Sequence, residues 1–325
     1  LAMLSISDDP ALQLMAAQRW MHERGPKLPP DHRPLHEGRA PRSGRIRIGY
    51  LSGDLKMHAV GLLTAELYEL HDRERFEVHA FCWSREDGTP LRKRILDAMD
   101  HVTRIDQVDD ETAARLIAEA GIDVLVDLQG LTNGARPGIL ARRPAPVQVS
   151  YLGFPGTCAL PGVDWIVADD VVLPREAELF HTERPMRVPT CYQVSDRQRP
   201  EGRVPTRAEA GLPEDGFVFC SFNNTFKFTP ELFDCWMRVL GQVPGSVLWL
   251  LADNDTARAN LTERARAAGI DPARLVFAGR VAPPDYLSRF RLADLVLDTF
   301  PYNAGTTASD CLWMGVPILT LAGRS

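Results

Sequence analysis

The chain has 325 residues, 45% hydrophobic and 25% charged, a globular composition with material for two domains. Its 37 basic residues stand against 43 acidic ones, and the resulting net charge of -6 argues against a nucleic-acid surface. Six scattered cysteines form no Cys-x-x-Cys pair, no apolar run can span a bilayer and no signal-peptide core opens the chain, so no zinc framework and no membrane association are expected, and the cytoplasm is the expected compartment. Residues 8–24 place Leu12, Met15, Ala16, Trp20 and Met21 at helical spacing after Asp8-Asp9-Pro10, which predicts one amphipathic helix. Residues 25–43 carry five prolines and read as an extended connector.

A first alternating series starts at residue 45. The strand IRIGYLSGD leads into a helix whose Leu62, Leu63, Leu67 and Leu70 share a face. Then come a strand at 76–83, a helix at 92–99, a short strand at 101–105, a helix at 112–120, an apolar strand from Ile122 and another at 165–168. The Pro-rich, charged passage 188–204 reads as a linker. A second series follows with strands at 217–222, from Val247, from Leu275 and at 295–297, separated by helices at 230–243, 260–268 and 284–292. Strand and helix in alternation predict parallel α/β sheets, here two Rossmann-like domains whose ligand loops sit at strand C-termini and face a cleft. The expected division is 1–44, a helix and connector; 45–204, a first domain; and 205–325, a second domain. The last stops just after a strand with no covering helix, so it is expected to be incomplete.

The stretch 292–321 reads as strand, loop, helix and strand. A loop carrying Gly305, Thr306 and Thr307 into a helix suits a phosphate or diphosphate, because a helix N-terminus offers unpaired N–H groups and a positive dipole end. One turn on, Asp310 is an acceptor that can take both hydroxyls of a ribose. A plain helix cap with a dipole-complementing aspartate uses the same atoms, and the stretch alone admits both. Lys227 follows the first strand of the second domain, where its charge can neutralise a leaving diphosphate, with Asn223 and Asn224 as neutral donors. After the Leu275 strand, Arg280, Val281 and Tyr286 lie where a base can be read and packed. In the first domain His58 sits just past the first strand, able to exchange a proton or donate to an anion. Gly130, Thr132 and Arg136, and the turn containing Pro155, Gly156 and Thr157, are further cleft residues suited to a sugar or peptide. Asp253 and Asp255 can hold a divalent metal but read more as a capping turn. No Walker loop, Gly-x-Gly-x-x-Gly, Gly-x-Ser-x-Gly or His-Glu-x-x-His occurs.

Four long motifs occur in order: RIGYLSGDLKMHAVGLL, RPAPVQVSYLGFPGT, CSFNNTFKFTPELFDCWMRVLGQVPGSVLWLL and LDTFPYNAGTTASDCLWMGVP. Together they resemble the catalytic region of the O-linked N-acetylglucosamine transferase and Spindly family, in a bacterial form, from residue 45 onward. The resemblance implies a GT-B fold and an inverting, metal-independent transfer of N-acetylglucosamine from UDP-GlcNAc to Ser or Thr of proteins. No cofactor is then required. It also implies preceding tetratricopeptide repeats, with residues 8–24 as the last remnant, and a homodimer through the repeat region. Lys227 matches the family lysine on the donor diphosphate, Thr306 and Thr307 the phosphate-binding pair, Asp310 the ribose ligand and His58 the active-site histidine once proposed as base. Asn224 stands where the animal enzyme has glutamine. Gly305 replaces a histidine and Phe226 a tyrosine of the animal motif. The animal enzyme's uridine contacts are not cleanly reproduced around 284–287, so GDP-fucose, the donor of Spindly relatives, or UDP-glucose are alternative donors, and an inactive nucleotide-binding scaffold is the alternative outside enzymes.

Overall fold

A computed structural model describes residues 2–40, 43–252 and 254–324. The chain forms two compact units, one from residues 9–198 and one from residues 2–8 with 199–324.

Helix α1 (Ala2–Ile6), which the pattern did not predict, belongs to the second unit, and α2 (Pro10–Arg24) to the first. Asp9 caps α2 by accepting the Ala11 N–H at 2.9 Å, the role that Asp before Pro favours. The connector after α2 is turned rather than extended, and it is tied to the first unit. Leu35 and His36 donate backbone N–H bonds to the carbonyls of Arg142 and Arg143, and Arg39 pairs with Asp123 at 2.8 Å.

The first unit runs β1 (Ile46–Ser52), α3 (Ala59–Glu69), β2 (Phe76–Cys82), α4 (Pro90–Asp97), β3 (His101–Arg104), α5 (Asp110–Glu119), β4 (Val124–Asp127), α6 (Pro137–Ala141), β5 (Val147–Ser150), β6 (Trp165–Ala168) and β7 (Arg184–Arg187). All seven strands pair in parallel in the order β3-β2-β1-β4-β5-β6-β7. Order reverses between β1 and β4, so the loops after these two strands flank a topological switch point. Apolar clusters cover both faces, one around Phe81, Ile117 and Leu125 and the other around Tyr68, Val78 and Ile95. On α3 the covered face is carried by Val60, Leu63, Thr64 and Tyr68, while Leu70 is 65% exposed. The expected Leu70 contact fails because Leu70 is the C-cap, already past the helix.

The second unit runs β8 (Val218–Ser221), α7 (Pro230–Gln242), β9 (Val247–Leu251), α8 (Asp255–Ala267), β10 (Leu275–Ala278), α9 (Pro283–Arg289), β11 (Leu295–Leu297), α10 (Thr306–Trp313) and β12 (Ile318–Leu319). Its sheet is parallel, in the order β10-β9-β8-β11-β12, with the switch point between β8 and β11. Helix α8 starts five residues before its apolar spacing suggests, because Asn254 accepts the Ala257 N–H at 2.7 Å and nucleates the first turn. Asp253 lies outside the described residues.

Candidate functional site

In the second unit the loops after β8 and β11 leave neighbouring strands at the switch point. Asn224 caps a single 3₁₀ turn, Thr225–Lys227, by accepting the Phe226 N–H at 3.3 Å. That turn aims Lys227 at the β11 loop. Its Nζ donates to the Asn303 carbonyl at 3.0 Å and stands 3.8 Å from the centre of the Tyr302 ring. No carboxylate lies within ion-pair distance of it among the described residues. Burial pushes the Lys227 ammonium down to about 8 from 10.5, with Asp298 pulling the other way.

The β11 loop is itself fastened from below. Buried Asp298 accepts the Thr299 and Ala304 N–H groups at 2.7 and 2.8 Å and the Thr320 hydroxyl at 2.6 Å. The Asn303 amide donates to the Thr299 carbonyl at 2.7 Å. The loop delivers the chain into α10 at Thr306, with Gly305 in the N-cap position and no side-chain cap. Thr306 and Thr307 are therefore first-turn residues rather than caps. The cap chemistry used by Asp9, Thr89, Asp109, Thr229 and Asn254 on other helices is absent here. A first turn with open N–H groups and two hydroxyls is suited to an anion.

Asp310, expected to face a ribose, is only 2% exposed, and its Oδ1 accepts the Arg199 guanidinium. Tyr286 packs against the apolar cluster that contains Cys311 of α10 and Met314, the residue that caps the helix. Burial pushes the Asp310 carboxyl up from its ordinary value, while Arg199 and Tyr286 pull it down. Tyr286 is thus brought to α10, whereas Arg280 and Val281 are exposed in the loop after β10 at the edge of the sheet. Two arginines escaped the sequence reading. Arg199 lies in the Pro-rich passage, which gives no sign of its partner 111 residues away. Arg289, 5% exposed, donates to the Gly279 carbonyl at 2.8 Å and sits 4.0 Å over Phe222 and 4.8 Å over Tyr286, with its Nε unpaired. A charge inside the apolar α9 face, between Leu287 and Phe290, was the available signal.

In the first unit the loop after β1 is held by side chains from two other loops, those after β4 and β2. Gln129 accepts the Gly53 N–H at 3.0 Å, Ser84 accepts that of Leu55 at 3.0 Å and Asp87 accepts that of Met57 at 2.7 Å. His58 then caps α3, its Nδ1 accepting the Val60 N–H at 3.3 Å, and the same nitrogen lies 3.7 Å from Asp54. With Nδ1 accepting, a neutral ring carries its proton on Nε2 and offers the exposed side as a donor. The Gln129 amide joins this loop to the next by donating to Asp54 and to the Thr132 hydroxyl, each at 2.9 Å. Gly130, at φ +55, packs on Phe154 where a Cβ would come within 2.4 Å, and its N–H donates to Asp127. Burial pushes that aspartate up to about 6. Arg136 is committed to Asp110 and to the carbonyls of Ile105 and Val108. Thr157 is buried and donates to Glu183 at 2.6 Å, so its hydroxyl serves the turn, while Pro155 is exposed and Gly156 half-buried. Beside these loops, Trp83, Arg85, Glu86, Arg104 and Asp106 line an open groove of about 650 Å³.

The family model described as glycosyl transferase family 41 matches residues 31–201 and 198–325. A probable UDP-N-acetylglucosamine–peptide N-acetylglucosaminyltransferase SEC of Arabidopsis thaliana is 36% identical over 283 residues, covering 85% of this chain and 29% of its own length. A probable enzyme of the same description, SPINDLY of Solanum lycopersicum, is 30% identical across 99% of this chain and 35% of its own length. Among solved structures, an O-GlcNAc transferase variant from Thermobaculum terrenum superposes with a TM-score of 0.84 at 30% identity, covering 98% of this chain and 60% of that one. The two-sheet parallel architecture is that of the GT-B glycosyltransferases. The chain spans about a third of the length of the curated relatives it matches. Among the described residues no helix is long and apolar enough to cross a membrane.

Proposed function

The chain belongs to glycosyl transferase family 41, and from that premise we propose that it moves N-acetylglucosamine from UDP-GlcNAc to a Ser or Thr hydroxyl of a protein, in the cytoplasm, with inversion and without a metal. The acceptor oxygen attacks the anomeric carbon, the bond from that carbon to the β-phosphate oxygen breaks, and its electron pair goes to the phosphate. Charge therefore develops on the leaving diphosphate. Lys227 and the open first turn of α10, with Thr306 and Thr307, stabilise it; one such preorganised donor supplies about 3 kcal/mol. Asp310 takes the ribose through the oxygen that Arg199 leaves free, and Tyr286 closes the same pocket. Asn224, Arg280 and Val281 complete the nucleotide side.

On the acceptor side, Gly130, Thr132, Pro155 and Gly156 border the sugar or peptide. His58 donates from Nε2 to a sugar or acceptor oxygen, and the acceptor proton leaves to water or to the donor phosphate. The observation that carries this reading is the half-buried Lys227 ammonium, held on Tyr302 and Asn303 with no carboxylate at ion-pair distance among the described residues, beside an uncapped helix start.

Calorimetric titration with UDP, GDP and their sugar conjugates in EDTA tests it. Tight UDP binding with weak GDP binding is expected. A preference for GDP transfers the reading to a fucose donor, and no binding of either refutes the donor site and leaves a scaffold.

A further inference from the structure

Glu77, His79 and His101 meet at the amino-terminal edge of the first unit's sheet, the edge opposite the loops after β1 and β4. Glu77 and His79 are two residues apart on β2, so both point to one face. Parallel register sets His101 of β3 beside His79. Glu77 Oε1 is the meeting point, 2.9 Å from His79 Nε2 and 3.4 Å from His101 Nε2, and the three donor atoms lie within 4.8 Å of one another. The two imidazole rings are 4.6 Å apart. Tetrahedral zinc with bonds of about 2.0–2.1 Å separates its ligand atoms by about 3.3 Å, and the two measured separations bracket that value. Glu77 and His79 are buried, whereas the His101 side chain is 58% exposed, so a fourth position opens to solvent.

We propose that Glu77, His79 and His101 form a binding site for a divalent transition cation, zinc foremost, that ties the edge strand β3 to β2. Two imidazoles and one carboxylate favour zinc, cobalt or nickel over magnesium and calcium, which take oxygen ligands. Two guanidinium groups share the carboxylate. Arg47, paired in register with Glu77, places Nε in ion-pair contact with Oε1 at 3.0 Å, without a hydrogen bond, and is anchored through Nη1 to the Ala120 carbonyl at 2.6 Å. Arg45, 3.5 Å from Oε2, has a side chain 38% exposed and can turn into solvent. Their charge lowers the affinity below that of an uncharged surround. The site is separate from the transfer chemistry, which is proposed to need no metal.

The test is a titration of the full chain with Co²⁺ followed by Zn²⁺ displacement at neutral pH, in a Cys191→Ser/Cys235→Ser background that removes the two exposed thiols. One equivalent of Co²⁺ with tetrahedral visible bands, displaced by Zn²⁺ and accompanied by a higher thermal midpoint, is expected. His101→Ala and His101→Gln, at an exposed edge position, weaken binding at least about 10-fold, since loss of even an outer partner of a metal ligand has that effect. UDP affinity stays unchanged in both. Absence of saturable binding, or binding that survives both His101 substitutions, overturns the proposal.

Discussion

Replacing Lys227 with methionine keeps the apolar stem and removes the charge, and the structure sets opposite signs for its effects on stability and on binding. A fall from 10.5 to about 8 is a differential interaction of about 3 kcal/mol against the ammonium. The Tyr302 face and the Asn303 carbonyl return about 1–2 kcal/mol. Lys227→Met is therefore expected to stabilise the fold at pH 7 by about 1–2 kcal/mol while diphosphate binding is lost. The pH dependence follows from the direction of the shift. The folded pKa lies below the unfolded one, so between pH 8 and 10.5 the unfolded chain binds more protons and the parent gains stability as pH rises. The advantage of the methionine variant shrinks over that window. A bound diphosphate restores the charged form, so above pH 8 UDP binding takes up a proton and weakens by up to about tenfold per pH unit. Urea unfolding followed by tryptophan fluorescence at pH 7 and 10 measures the first effect. Calorimetry in two buffers of different ionisation enthalpy measures the second. A methionine variant that is less stable than the parent at both pH values and binds UDP as well refutes the reasoning.

Arg199→Met leaves Asp310 buried without its cation and is expected to destabilise the second unit by about 3–5 kcal/mol, with Arg199→Met/Asp310→Asn recovering most of it; urea midpoints of the single and double variants check this. Thr306→Asp places a carboxylate in the first turn of α10, which raises stability by about 0.3–1 kcal/mol and lowers UDP affinity at least tenfold, read by thermal unfolding and calorimetry. His58→Ala removes the α3 cap and loses about 1 kcal/mol. His58→Asn keeps both cap and fold, and it lowers turnover with UDP affinity unchanged, as stopped-time transfer assays report.

The strands that carry the nucleotide side were legible because each is a short apolar run between turn residues, as VLWLL at 247–251 and LVL at 295–297 are. Two strands were not. Arg184–Arg187 reads RPMR, an edge strand whose pairing comes from β6 rather than from its own hydrophobicity. Val147–Ser150 sits among prolines and owes its place to β4 and β6. Lys227, Thr306 and Thr307 were legible as candidates because ligand loops lie at strand ends, which chain order predicts. Arg199 with Asp310, and Glu77 with His79 and His101, depend on register and on contacts distant in sequence, which periodicity does not encode. Tyr286 was legible as a residue that can pack on a base; its place against the apolar cluster of Cys311 and Met314 follows only from tertiary packing.

The most direct measurement incubates the chain with UDP-GlcNAc and a Ser/Thr peptide library in EDTA, locates any modified residue by fragment mass spectrometry and assigns the anomeric linkage by NMR. The account predicts one N-acetylhexosamine on Ser or Thr in β linkage, abolished by Lys227→Met. Transfer that requires a metal, an α-linked product, or modification from GDP-fucose alone would contradict it.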